Sequence, residues 1–167
     1  ENAPVKTPLA IIPRFTGNNF METEELMYNS DIAVIGPGWS NGNIEVLQKL
    51  INSDKTVVID ADALNLIARH PEIIQRSGSA PLIMTPHPGE LTRLQQAFSL
   101  PQTISRIEAA QQMASYCNAI VVLKGARTVI AAPDGLTAFN GSGSPALATA
   151  GSGDVLAGVI AATAGKQ

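Results

Sequence analysis

At 167 residues, 45% of them hydrophobic, the chain is the size of one domain and has enough apolar side chains to bury a core. A net charge of −3 and a pI near 5.3 exclude the basic footprint of a nucleic-acid or anionic-membrane binder. A single cysteine, Cys117, excludes an internal disulfide; no run is long and apolar enough to span a bilayer, and nothing at the N-terminus has signal-peptide architecture, so we expect a cytoplasmic protein.

The elements follow one another as short, β-branched apolar runs, each leading into a helical stretch. "DIAVIG" (31–36) reads as a buried strand and passes through "PGWSNG" to a helix over 43–51, where Ile44, Leu47, Leu50 and Ile51 share a face. "TVVID" (56–60) is the next strand, before a short helix through "ALNLIA". "PLIMT" (81–85) is a third, ending in "PHPGE" before the helix "ELTRLQQAF". A further helix is expected from about Ile104 to Tyr116, with Ile107, Ala110 and Ala114 on its apolar side. "AIVVLKG" (119–125) and "TVIAA" (128–132) are two more strands, and "PDG" (133–135) marks a turn, so an antiparallel hairpin closes this part of the sheet. The last helix starts near Ser152. Alternating strands and helices predict an α/β fold with a mainly parallel sheet covered on both faces. Charged residues are only 15% of the chain, which points to extensive burial or subunit contacts. The chain opens at Glu1 without a methionine and stops just after a helix, so residues 1–167 are expected to form a single, incomplete domain truncated at both ends.

In such sheets ligands bind where strands run out into helices. The loops there are Gly36-Pro37-Gly38, Asp60-Ala61-Asp62, Thr85 to Glu90, Lys124-Gly125-Ala126 and Gly151-Ser152-Gly153-Asp154, all polar or rich in Gly and Pro while their strands are apolar. None carries a P-loop, a GxSxG elbow or the GxGxxG dinucleotide spacing. Asp154 reads either as a helix cap or as a general base beside a phosphate held on the Gly151–Gly153 amides. Lys124 is a phosphate point charge or a solvated strand-end lysine. His87, between two prolines, is an aimed side chain or a solvent-facing loop histidine. It is a poor metal-ligand candidate, since the other histidine, His70, lies in a different loop and Cys117 in a helix. Glu90 caps the following helix or joins a magnesium–water network. Asp60 and Asp62 read as turn and cap residues rather than metal ligands, and Trp39 packs on a ligand ring or fills the core edge.

Taken together, "VIGPG", "VIDADALN", "TPHPGEL.RL", "VVLKGA.T" and "AGSGDVLAG" resemble, in order and spacing, the ADP/ATP-dependent NAD(P)H-hydrate dehydratases. The resemblance covers nearly the whole chain. It implies a ribokinase-like three-layer α/β/α fold and a repair reaction in which hydrated NADH or NADPH is dehydrated at the expense of ATP or ADP with Mg2+. The terminal phosphoryl passes to the ring hydroxyl and phosphate is then eliminated. Carried over by position, Gly38 and His87 match contacts to the hydrated dinucleotide. Lys124, Gly125, Ala126, Arg127, Thr128 and Gly153 match contacts to the adenine nucleotide. Asp154 matches the position that meets both substrate and chemistry, as the base; the amides of Gly151, Ser152 and Gly153 stabilise charge on the transferring phosphoryl. A homotetramer and a fused or partner NAD(P)H-hydrate epimerase are also implied. Members of the family carry a glycine-rich segment before the position of Glu1 and further helices past Gln167, and Arg127 falls at a variable position. Two other readings use the same residues: a ribokinase-superfamily kinase of a small alcohol or vitamin precursor, and a catalytically silent nucleotide-binding module.

Overall fold

A computed structural model describes residues 30–40, 42–103 and 105–164. Six strands form one sheet: β1 (Ile32–Ile35), β2 (Thr56–Ile59), β3 (Leu82–Met84), β4 (Ile120–Leu123), β5 (Val129–Ala131) and β6 (Thr137–Phe139). Their spatial order is their chain order; β1 to β4 run parallel, and β5 and β6 are added antiparallel. Five α-helices connect or follow them: α1 (Ile44–Ile51), α2 (Ala61–Arg69), α3 (Pro88–Ala97), α4 (Arg106–Cys117) and α5 (Ser152–Ala164).

Sequential strand order and right-handed crossovers carry α1 to α4 over the same face. Side chains alternate across each strand. Ala33, Ile35, Val57, Ile59, Leu82, Met84, Val121 and Leu123 therefore point into the larger core beneath those helices, together with Leu47, Leu64, Leu94 and Met113. Ile32, Val34, Val58, Ile83 and Val122 point the other way, where Ala157 and Ala161 of α5 meet them. Among the described residues α5 is the only α-helix on this second face. The expectation of a sheet covered on both faces is therefore met over β1 and β2, while Ile130 and Phe139 of the hairpin, and Val155 and Val159 of α5, are exposed.

One local expectation changes. Ile107 is exposed, because the buried stripe of α4 runs through Ala110, Met113, Ala114 and Cys117 and leaves Ile107 at its edge. The expected start of that helix, Ile104, lies outside the described residues. Trp39 belongs to the larger core, 3% exposed, which is the core-filling reading rather than the ligand one. Cys117 is buried, and desolvation pushes its thiol up to about 12, so the protein's one cysteine is unreactive at neutral pH.

Candidate functional site

The parallel register lines up the carboxyl ends of the strands. Ile35 lies beside Ile59, and Ile59 beside Met84; the Lys124 amide donates to the Pro86 carbonyl at 2.8 Å just past the strand ends. Four of the expected loops thus leave the sheet side by side.

Asp60 is the centre of this row. Its N–H donates to the Ile35 carbonyl at 3.0 Å, and its Oδ1 accepts from the Ala61 amide at 2.8 Å, capping α2. That is the cap role read from sequence, with Asp62 in the first helical turn, but it is half of what Asp60 does. Lys124, at the end of β4, reaches across β3 and donates from Nζ to the same Oδ1 at 2.6 Å. The pair is well shielded: the Asp60 side chain is 2% exposed and that of Lys124 21%. Lys124 is therefore not the solvated strand-end lysine of the bland reading. Removing one partner of such a pair leaves an uncompensated charge at a cost of about 3–5 kcal/mol.

The start of α5 meets this pair. A Cβ placed on Gly153 would lie 3.7 Å from both Asp60 Oδ2 and Lys124 Nζ, so a glycine lets the helix terminus approach two charged groups. Gly151, at φ +83°, turns the chain into the helix, and the Val155 amide donates to the Gly151 carbonyl at 3.2 Å. The Gly153 and Asp154 amides open the helix, as the unpaired donors that any helix start presents. Ser152 is tied back, its N–H and hydroxyl both donating to the Thr149 carbonyl, so its amide is not a free donor of the expected Gly151–Gly153 cradle. Asp154 sits inside the first turn and is exposed; the cap reading does not describe it, since the helix begins two residues earlier. Its carboxylate is free for other work.

His87 is the N-cap of α3. Its Nδ1 accepts from the Gly89 and Glu90 amides at 3.0 and 3.3 Å, while Glu90 Oε2 accepts from the His87 amide at 2.7 Å, which completes a capping box. An accepting Nδ1 leaves the ring proton on Nε2, which faces Glu90 Oε1 at 3.4 Å. Half of the imidazole remains exposed, so the residue is both a cap and a presented ring. Glu90 is buried with both oxygens turned to His87, and the capping reading accounts for these contacts.

The segment from Lys124 to Thr128 is held by a residue the sequence did not single out. Arg106, first in α4, donates to the carbonyls of Ala126 (2.6 Å), Lys124 (3.2 Å), Leu123 (3.3 Å) and Arg127 (3.5 Å). Gly125, at φ +139°, lies against this guanidinium, and Arg127 adopts φ +57°. Thr128 closes the turn by donating to the Gly125 carbonyl at 3.2 Å. Nothing local in the sequence marks a residue some twenty positions upstream as the clamp of this loop. Arg106→Ala is expected to speed hydrogen exchange of the amides at 124–128 by tenfold or more, measured by mass spectrometry; unchanged exchange would show that the loop holds itself.

The structure thus brings Asp60, Lys124, Gly153 and the first turn of α5 together, with the His87 loop joined through Pro86. Gly38 is exposed at φ +65° with open space before it, while the Ala126 and Arg127 side chains face solvent. Among the described residues no group of three or more His, Cys, Asp or Glu is placed to hold a metal ion. An arrangement of one partly buried ammonium, glycine-flanked amides at a helix start and a free carboxylate suits an anion that must react with a hydroxyl: the ammonium and the amides hold it and the carboxylate takes the proton.

Comparison with known proteins shows the family. A family model described as NAD(P)H-hydrate dehydratase matches residues 2–164. A bifunctional NAD(P)H-hydrate repair enzyme of Moorella thermoacetica is 41% identical over 145 residues, which is 85% of this chain and 27% of that protein. The solved ADP/ATP-dependent NAD(P)H-hydrate dehydratase of Bacillus subtilis, co-crystallised with ATP and Mg2+ and soaked with CoA, is 33% identical with a TM-score of 0.64, over 79% of this chain and 47% of that one. A ribokinase-like superfamily protein of Enterococcus faecalis is 30% identical with a TM-score of 0.66, over 88% of this chain and 52% of that one. The chain therefore spans about a quarter of the repair enzyme's length and about half of the solved structures. No helix among the described residues is long and apolar enough to cross a membrane.

Proposed function

The chain belongs to the NAD(P)H-hydrate dehydratase family, and from that premise we propose that it supplies the phosphoryl-transfer centre of an enzyme returning hydrated NADH or NADPH to the reduced coenzyme, with ADP or ATP consumed. The observation that carries the reading is the meeting at Gly153 of a partly buried Lys124–Asp60 pair and the opening turn of α5, with Asp154 as the next residue.

Hydroxide is a poor leaving group, and the site is built to improve it. The substrate hydroxyl oxygen attacks the terminal phosphorus of the nucleotide, Asp154 takes the hydroxyl proton, and the bond from phosphorus to the departing nucleotide oxygen breaks. The Gly153 and Asp154 amides and the Lys124 ammonium meet the negative charge that grows on the transferring group. Carbon–oxygen cleavage then releases inorganic phosphate, and loss of a proton from the neighbouring ring carbon restores the double bond. Magnesium supplies charge neutralisation along the nucleotide phosphates when bound.

Gly38 and His87 take the hydrated dinucleotide in this reading, and Lys124 to Thr128 with Gly153 take the adenine nucleotide. Open space before Gly38, the half-exposed His87 ring and the Arg106-clamped loop support that division. The reading extends to a cytoplasmic homotetramer working with a fused or partner epimerase, the last supported by the bifunctional repair enzyme among its relatives.

The decisive assay incubates the protein with hydrated NADH, magnesium and either ADP or ATP, and follows the return of NADH absorbance. Nucleotide-dependent recovery is expected; none, with nucleotide still bound, would overturn the reading. A second prediction separates the two tasks of His87. His87→Ala is expected to raise KM for hydrated dinucleotide about tenfold, leave nucleotide affinity within about twofold, and lose about 1 kcal/mol of stability with the cap. His87→Asn keeps a capping oxygen, so it should recover the melting temperature but not the KM. Recovery of both would reduce His87 to a cap.

A further inference from the structure

We propose that Asp60 is a positioning residue that holds the Lys124 ammonium at the point of phosphoryl transfer, an inference that rests on the reaction proposed above. Lysine is a point charge on a flexible four-carbon stem, and at a strand end it would ordinarily spread over many rotamers. Here it is drawn to one place. The 2.6 Å contact to a carboxylate that is 2% exposed fixes its end, and that carboxylate is itself fixed by capping α2. Ala61, the residue that Asp60 caps, adopts φ +48°, a left-handed conformation that alanine enters only at a cost.

The place is informative. Lys124 Nζ and Asp60 Oδ2 are equidistant, at 3.7 Å, from the position a Cβ would take on Gly153. The ammonium therefore stands at the start of α5, beside the residue that precedes Asp154. An ammonium has three N–H donors; one is spent on Asp60 Oδ1, which leaves two for phosphoryl oxygens. The positive end of α2 offsets part of the Asp60 charge, so the carboxylate cancels only part of the attraction. Its second oxygen, Oδ2, makes no hydrogen bond among the described residues and faces Gly153. A cation held in this way acts on charge that develops during transfer, more than on the nucleotide at rest.

The test is a double-mutant cycle of Asp60→Asn and Lys124→Ala, read by turnover, by nucleotide KM and by melting. Asparagine caps as well as aspartate does, so α2 keeps its start. Asp60→Asn is expected to lower kcat by tenfold or more while nucleotide KM moves by less than about threefold. The double variant should turn over no more slowly than Lys124→Ala, because Asp60 acts only through that lysine. It should also melt above Lys124→Ala, which strands a buried carboxylate. Wild-type kcat in Asp60→Asn, losses that multiply in the double variant, or a rise in KM alone would each overturn the inference. If the unaltered protein returns no NADH, the proposed function falls first. The melting cycle then decides the pair on its own, and additive shifts would overturn it.

Discussion

Gly36→Ala is expected to destabilise the protein by about 4 kcal/mol or more, lowering its melting temperature by roughly 10 °C. The same substitution at Gly38 is expected to cost only about 1 kcal/mol. Both glycines have positive φ, +121° and +65°, so conformation alone does not separate them. Their surroundings do. A Cβ on Gly36 would stand 1.7 Å from the Asp60 carbonyl oxygen and 2.8 Å from its carbon. These are backbone atoms pinned on both sides: the Asp60 amide is bonded to Ile35, and the Asp60 carbonyl accepts the Ala63 amide at 3.2 Å. Relief requires the exit of β1 to part from the start of α2, which carries Asp60 and its hold on Lys124 with it. A Cβ on Gly38 meets nothing within 4 Å. Circular-dichroism melting of the two variants side by side is the measurement. Equal shifts would show that the Gly36 loop is not packed on Asp60 as described.

The strands and their order of appearance were readable because each is a short β-branched run ended by Gly, Pro or a polar pair. The hairpin around Pro133–Gly135 was readable for the same reason. The distribution of helices over the sheet was not. A chain whose strands pair in sequence order puts every right-handed crossover on one face, and no local pattern announces that order. The second layer therefore reduces to α5 among the described residues, and Val155 and Val159 face outward on a helix that looks apolar all round in the sequence. Ile107 misleads for a related reason: its spacing to Ala110 and Ala114 is helical, but Met113 and Cys117 set where the centre of the buried stripe falls.

The site divides along the same line. Features that act within three or four residues were visible: Asp60 ahead of a helix, Glu90 three positions after His87, and glycines leading into α5. What acts across the fold was hidden. Lys124 and Asp60 are 64 positions apart on strands separated by a third, so only strand order brings them together. Arg106 reaches forward from a helix start to four carbonyls at and just beyond the end of the next strand, and its residue type suggests nothing more than a surface charge. His87 lay between these cases. The glutamate of a capping box was in view, but histidine in the capping position is uncommon, and only its Nδ1 contacts to two amides show that it serves there.

Asp154→Asn is expected to lower turnover of hydrated NADH by about a thousandfold, within the usual range for loss of a positioned base, while nucleotide binds as tightly as before or slightly more so. The two halves of this expectation have one cause. The carboxylate lies in the first turn of α5, beside the amides that would take the phosphates. At rest its negative charge opposes the nucleotide, and it contributes only when the hydroxyl must lose its proton. Asparagine keeps the size and the helical position, leaves the Gly153 amide and the Lys124–Asp60 pair in place, and removes both the repulsion and the basicity. Calorimetric titration with ATP and magnesium, set against single-turnover recovery of NADH, reads the two halves separately. Weaker binding with turnover lost in proportion would mean that Asp154 shapes the phosphate cradle instead of taking the proton. Retained turnover would move the base elsewhere, and Asp60 Oδ2, the other carboxylate oxygen facing Gly153, would be the next residue to test.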